Sequence, residues 1–117
     1  MTREEFSAQV SAALANAVAN KKLDAWFFND FDSPWAGKNN RKINKVLNDL
    51  IPGNWKMIEL SGNFTSVGLG IFYEKKYDMY LDLACYDEEN EEYIDSFNVY
   101  DKCPFKLDKE TLARISQ

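Results

Sequence analysis

Five carboxylates fall within six positions, at Asp87, Glu88, Glu89, Glu91 and Glu92, and Asp95 follows just beyond, in a chain that contains no histidine. Histidine is the side chain that most often moves protons and ligates transition metals near neutral pH, so its absence removes the commonest route to both. The two cysteines, Cys85 and Cys103, are too few for a four-thiolate zinc site and have no imidazole base to activate them. No cofactor is implied either: Gly68-x-Gly70 does not open a helical pattern, so it is no dinucleotide loop. Crowded carboxylates can hold a cation or attract a basic surface. A calcium loop needs the D-x-[DN]-x-[DN]-G spacing and its glycine, which this segment lacks. What remains is electrostatic: a clamp for a basic patch, or a coarse imitation of nucleic-acid phosphates, spaced at roughly one charge per 1.7 Å of duplex axis. The same residues also suit a solvated turn that keeps a sheet edge from aggregating.

Other positions admit other chemistry. Glu74–Lys75–Lys76 after an apolar run has the E-x-K arrangement of metal-dependent nucleases, with Glu59 or Asp82 as the second carboxylate; it is also an ordinary hairpin turn. A Mg²⁺-dependent nuclease using Glu74 and Lys76 is therefore an alternative function. Asp30–Phe31–Asp32 sets two carboxylates two residues apart, within a segment that holds Trp26, Phe27, Phe28, Phe31 and Trp35. Most of these rings belong in a core, but Phe31 or Trp35 exposed would be an interface anchor. Lys38, Arg41, Lys42 and Lys45 surround the start of a predicted helix and could receive a phosphate or an acidic patch, or simply form a solvated face.

The elements that would carry these residues follow from spacing. Thr2 with Glu5 reads as a capping box, with Met1 placed to staple onto Phe6. Phe6, Val10, Ala13, Leu14, Ala17 and Val18 recur at helical spacing, and Asn20–Lys21–Lys22 closes that helix. After an irregular aromatic stretch over 23–37, a second helix is expected over 40–51, with Ile43, Val46, Leu47 and Leu50 inward and Pro52–Gly53 ending it. A four-stranded antiparallel meander follows, with strands over 55–60, 67–74, 77–86 and 93–100. Alternation predicts Val67, Leu69, Ile71 and Tyr73 inward on the second strand, and Met79, Leu81, Leu83 and Cys85 inward on the third. The opposite face then carries Gly68, Gly70, Phe72, Tyr80, Asp82, Tyr86, Ser96, Asn98 and Tyr100. Two glycines one pleat apart leave a bare strip there, and tyrosines around it have hot-spot composition. A helix of the same chain covering this face, or cross-strand tyrosine pairing, explains the pattern equally well. Asp108 caps a short C-terminal helix stapled by Leu107 and Leu112. The expected fold class is α+β, in the order α-α-β-β-β-β-α, with the helices on one face of the sheet.

With 117 residues, 45% of them hydrophobic and 15% aromatic, the chain 1–117 should fold as one domain without disulfides. Its charge is uneven. Residues 1–60 hold eight Lys/Arg against seven Asp/Glu, whereas residues 61–117 hold six against twelve, so the second half carries −6 of the net −5 and the first +1. Such a surface repels nucleic acid and attracts basic proteins. The charged N-terminus is no signal peptide, no apolar run approaches a membrane span, and two cysteines suit a reducing cytoplasm, so a cytoplasmic location is expected. The sequon Asn63–Phe64–Thr65 is then a chance match. In general character the chain is similar to bacterial or phage-encoded inhibitors, among them toxin immunity proteins and anti-CRISPR proteins; the likeness is one of physical type and not of motif. The leading expectation is a non-catalytic protein that inhibits a basic partner, a nuclease or nucleic-acid-binding protein. Partner-binding residues would be Asp87, Glu88, Glu89, Glu91, Glu92, Asp95, Tyr80, Asp82, Tyr86, Tyr100, Phe31 and Trp35. A secretion-type chaperone or assembly adaptor is a further alternative.

Overall fold

The computed structural model of the protein describes residues 1–23, 40–61, 69–85, 93–102 and the single positions 89 and 109. The aromatic segment, the turn after the first strand, most of the acidic tip and the expected C-terminal helix apart from Lys109, which is helical, lie outside the described residues.

Helix α1 runs Arg3–Ala19 and begins with the capping box that Thr2 and Glu5 promise. The Thr2 hydroxyl accepts the Glu5 amide at 3.1 Å, and the Glu5 carboxylate accepts the Thr2 amide at 3.1 Å, satisfying two donors that a helix start leaves bare. Phe6, Val10, Leu14 and Ala17 form its buried stripe. The expected Met1 staple is not made: Met1 is 65% exposed. Phe6 instead stacks on Tyr77, ring centroids 4.0 Å apart, and lies 6.0 Å from Trp55. The helix ends in a Schellman arrangement, with Lys21 left-handed at φ 53°. The Lys21 amide donates to the Val18 carbonyl at 3.1 Å, and that of Lys22 to Ala17 at 2.9 Å. Leu23 is then buried, and its carbonyl accepts the Ile94 amide at 3.1 Å, which ties the helix exit to the sheet.

Helix α2, Asn40–Leu50, is followed by Ile51, whose amide still reaches the Leu47 carbonyl at 3.0 Å. The chain then turns at Pro52–Gly53, where φ of Gly53 is 113°. A Cβ on Gly53 would lie 2.7 Å from Trp55 Nε1 and 2.8 Å from Phe6 Cζ, so both conformation and space require glycine.

Four strands follow: β1 Trp55–Ser61, β2 Leu69–Glu74, β3 Met79–Cys85 and β4 Ile94–Tyr100. They form one antiparallel sheet in the order β1-β2-β3-β4, the expected meander. The protein is thus α+β, with two helices and a four-stranded antiparallel sheet laid out among the described residues. The core gathers Phe6, Val10, Leu14, Leu47 and Ile51 from the helical part with Trp55, Met57, Phe72, Met79, Leu81, Leu83 and Ile94 from the sheet.

The face assignment of β2 differs from the expectation. Phe72 pairs with Leu81, and Glu74 with Met79, so Phe72 and Glu74 share the core face with the apolar residues of β3. Ile71 and Tyr73 stand on the opposite face with Tyr80 and Asp82. Gly70, paired with Leu83, falls on the core side, so it does not leave a bare strip beside the tyrosines. The turn fixes this: four residues, Lys75–Asp78, separate the paired Glu74 and Met79, and one step of register reverses every side chain. A bulge at Ile58 absorbs the extra residue in β1.

Helix α2 also finishes the outer edge of β1. The Asn48 side chain accepts the Trp55 amide at 2.6 Å and donates to the Trp55 carbonyl at 2.9 Å. Asn44, one turn earlier, accepts the Met57 amide at 2.8 Å. Residues four apart on a helix face the same way, as do residues two apart on a strand, so two asparagines meet two edge positions.

Candidate functional site

On the sheet face away from the core, the register aligns Lys56, Tyr73, Tyr80 and Tyr100 across all four strands. Tyr73 and Tyr80 pack with ring centroids 4.9 Å apart at 41°. The Tyr73 hydroxyl donates to Asp78 Oδ1 at 2.9 Å, across the turn. Desolvation by burial, then that hydrogen bond and the Asp78 charge, push its pKa up to about 12. Tyr73, which alternation alone assigned inward, thus joins Tyr80 and Tyr100 on this face.

The next row places Ile71, Asp82 and Asn98 side by side. Asp82 is half-buried, and its Oδ1 atom is enclosed without a hydrogen-bond partner. Burial pushes its carboxyl above the ordinary range, because the charged form has lost water without gaining a donor. Ile71 beside it is fully buried, so the centre of this face is closed, and Tyr80 and Tyr100 are only half-buried around it. An open tyrosine strip is therefore not what this face presents.

The acidic hairpin joins β3 and β4. Glu89 is exposed at its tip, with φ 59°. Asp95 is the extra residue of a bulge, since Ala84 pairs with Ser96 while Cys85 pairs with Ile94, and its side chain is exposed. Asp87, Glu88, Glu91, Glu92 and Tyr86 lie outside the described residues, as do Phe31, Trp35, Asp30, Asp32, Lys38 and Cys103.

The nuclease arrangement meets a different geometry. Glu74 is 2% exposed. Its Oε2 accepts the Asn54 amide at 2.6 Å, and its Oε1 accepts the amides of Lys76 at 2.6 Å and Tyr77 at 3.3 Å. The carboxylate organises the β2–β3 turn from within, and Asp82 stands on the other face of the sheet, so the two do not converge. Among the described residues no three acidic or thiol groups come together as a metal site. Lys45, read as part of an anion-receiving cluster, pairs with Asp49 at 2.8 Å along α2; the side chains of Arg41 and Lys42 are not described.

Three further contributions had little sequence signal. Arg3 reaches across the fold: its Nε donates to the Tyr77 carbonyl at 2.8 Å, and one terminal nitrogen donates to the Asp78 carbonyl at 2.7 Å and the Asp101 carbonyl at 3.3 Å. Asn44 and Asn48 read as ordinary polar helix residues. Tyr73 was discoverable: counting the pairs outward from the turn, with Met79 and Leu81 inward, puts it beside Tyr80. Among the described residues no helix is long and apolar enough to cross a membrane. No protein-family model, curated protein or solved structure matches this chain.

Proposed function

We propose that the protein is a non-catalytic acidic binder that occupies the charged surface of a basic partner, a nuclease or nucleic-acid-binding protein, and so inhibits it in the manner of an immunity or anti-defence protein. One observation carries this reading: residues 87–101 hold seven carboxylates and no lysine or arginine. In the described part of this hairpin Glu89 and Asp95 project into solvent, and Asp101 follows, exposed and 4.0 Å from Arg3. A run of mostly one sign speeds encounter with an opposite charge and discriminates against wrong partners. Half-buried Tyr80 and Tyr100 would supply apolar area beside it, with Tyr86, Phe31 and Trp35 as further anchors. In this reading the helices back one face of the sheet, the short C-terminal helix completes the α-α-β-β-β-β-α order, and the protein works in the cytoplasm without a cofactor.

The test is capture from lysates of the source organism and of its antagonists at low and moderate salt. A basic nucleic-acid enzyme should be retained, released as salt rises, and inhibited by the pure protein. Reversal of Glu88, Glu89, Glu91 and Glu92 to lysine should slow association and flatten its salt dependence. Equal capture and inhibition by the reversed variant, or no inhibition of any captured enzyme, would overturn the proposal.

A further inference from the structure

We infer that the outer edge of β4 receives an extended basic segment of the partner as a fifth strand. The inference rests on the acidic-binder reading above and specifies how the partner is held.

A four-stranded meander has two edges, and here they are unequal. The β1 edge is hydrogen-bonded by Asn44 and Asn48. On β4 the Ile94 amide is bonded to Leu23, and among the described residues Asp95 to Tyr100 make no backbone bond beyond the sheet. Such a row of free amides and carbonyls is a template for another strand, with main-chain bonds giving affinity and alternate side chains giving choice. Ser96 and Asn98 are exposed, while Phe97 and Val99 are only partly buried against the core. A strand laid beside them would place its apolar alternates next to Phe97 and Val99 and its other side chains next to Asn98 and Tyr100.

Charge selects the occupant. Asp95 at the start of the edge is an exposed carboxylate, and no cation lies in the sequence between residues 87 and 101; Asp101, just past its end, is exposed too but lies 4.0 Å from a terminal nitrogen of Arg3. A second copy of β4 would bring two such runs together, which like-charge repulsion opposes. The Asp95 bulge adds to this, as bulges and edge charges do where like edges must be kept apart. A lysine- or arginine-bearing strand meets the opposite situation.

The probe is a seven-residue peptide alternating lysine and valine, compared with the same peptide N-methylated at each valine, which keeps the charge and removes ladder donors. Both are titrated against the full chain, with amide hydrogen exchange read across β4. The expected result is binding of the first peptide, at least about tenfold weaker binding of the methylated one, and slowed exchange within Ser96–Tyr100 on binding. Equal binding of both without protection of β4 would overturn this inference and leave the electrostatic reading standing. Failure of the unmethylated peptide to bind would likewise overturn it, while inhibition of a captured basic enzyme would still uphold the broader function. Protection of the outward-facing amides of β4 in the free protein, beyond those bonded to β3, would also overturn it: rising with concentration it would assign the edge to a second copy, and independent of concentration to the chain itself.

Discussion

Replacing Glu74 by alanine should be the most damaging single change in the β2–β3 turn. Its carboxylate is enclosed and accepts three main-chain amides, two of them at 2.6 Å. A hydrogen bond to a charged group contributes about 1.5–3 kcal/mol net, and a buried donor left bare costs about 1–3 kcal/mol. Asn54 and Lys76 are exposed residues, so water can repair part of the loss at their amides. The alanine variant should therefore lose about 2–4 kcal/mol. Glutamine separates charge from shape. Its carbonyl can keep the Lys76 and Tyr77 amides, but its NH₂ group then confronts the Asn54 amide, donor against donor, at a cost of about 1–3 kcal/mol. Urea unfolding followed by tryptophan fluorescence gives both numbers, because Trp55 is fully buried in the core beside this turn. With a slope of about 2 kcal/mol/M, the alanine midpoint should fall by roughly 1–2 M at unchanged slope. An alanine variant within about 0.5 kcal/mol of the parent would refute the account of the turn. A glutamine variant as stable as the parent would refute the role assigned to the charge.

Asp82→Asn should stabilise the protein at pH 7 by about 1 kcal/mol. A carboxyl whose folded pKa is raised contributes stability present below its ordinary value of 3.8 and lost as pH rises. The advantage of the variant should therefore vanish on acidification towards that value; a gain that persists there in denaturant titrations would refute the assignment. Absorbance at 295 nm should show Tyr73 ionising near pH 12, with stability contributed by its neutral form lost as pH rises from 10 towards 12. Tyr73→Phe should remove that late step, and loss of a phenol titrating near 10 would contradict it. Asn48→Ala, which gives up two bonds to Trp55, should cost about 2 kcal/mol and Asn44→Ala about 1 kcal/mol; thermal unfolding that reversed this order would refute the edge-capping account.

Much of the fold was legible because local chemistry and periodicity agreed. The Thr2–Glu5 box, the Phe6–Val10–Leu14–Ala17 stripe and the Pro52–Gly53 stop are each set by neighbours in sequence, and the alternation of β3 is unambiguous. β2 was not legible by the same means: Ile71, Phe72 and Glu74 are all buried, so hydrophobicity alone does not say which parity faces the core. Only the pairing across the turn decides. Met1 was misjudged because a staple is a local rule, and Phe6 found better partners in Tyr77 and Trp55, which are distant in sequence. The candidate site was partly visible. Asp95 and Glu89 are exposed as their charge requires, and Tyr80, Asp82 and Tyr100 do share a face, but the burial of Ile71 depends on tertiary packing that no single strand announces. Glu74 shows the limit most plainly: the same E-x-K spacing serves a metal or a turn, and the difference lies in which way one side chain points.

The asparagine seam along β1 bears on where the molecule could grow. In a polymer chemist's terms, a filament needs a bifunctional unit, with a reactive end on each side. Here helix side chains already hold Trp55 and Met57 at one edge of the sheet, so over these residues that end is blocked. A stacked cross-β array that used this stretch of the β1 edge would first have to break the asparagine bonds. Exchanging both Asn44 and Asn48 for alanine would do more than weaken the fold. It would remove the stopper from that stretch of edge.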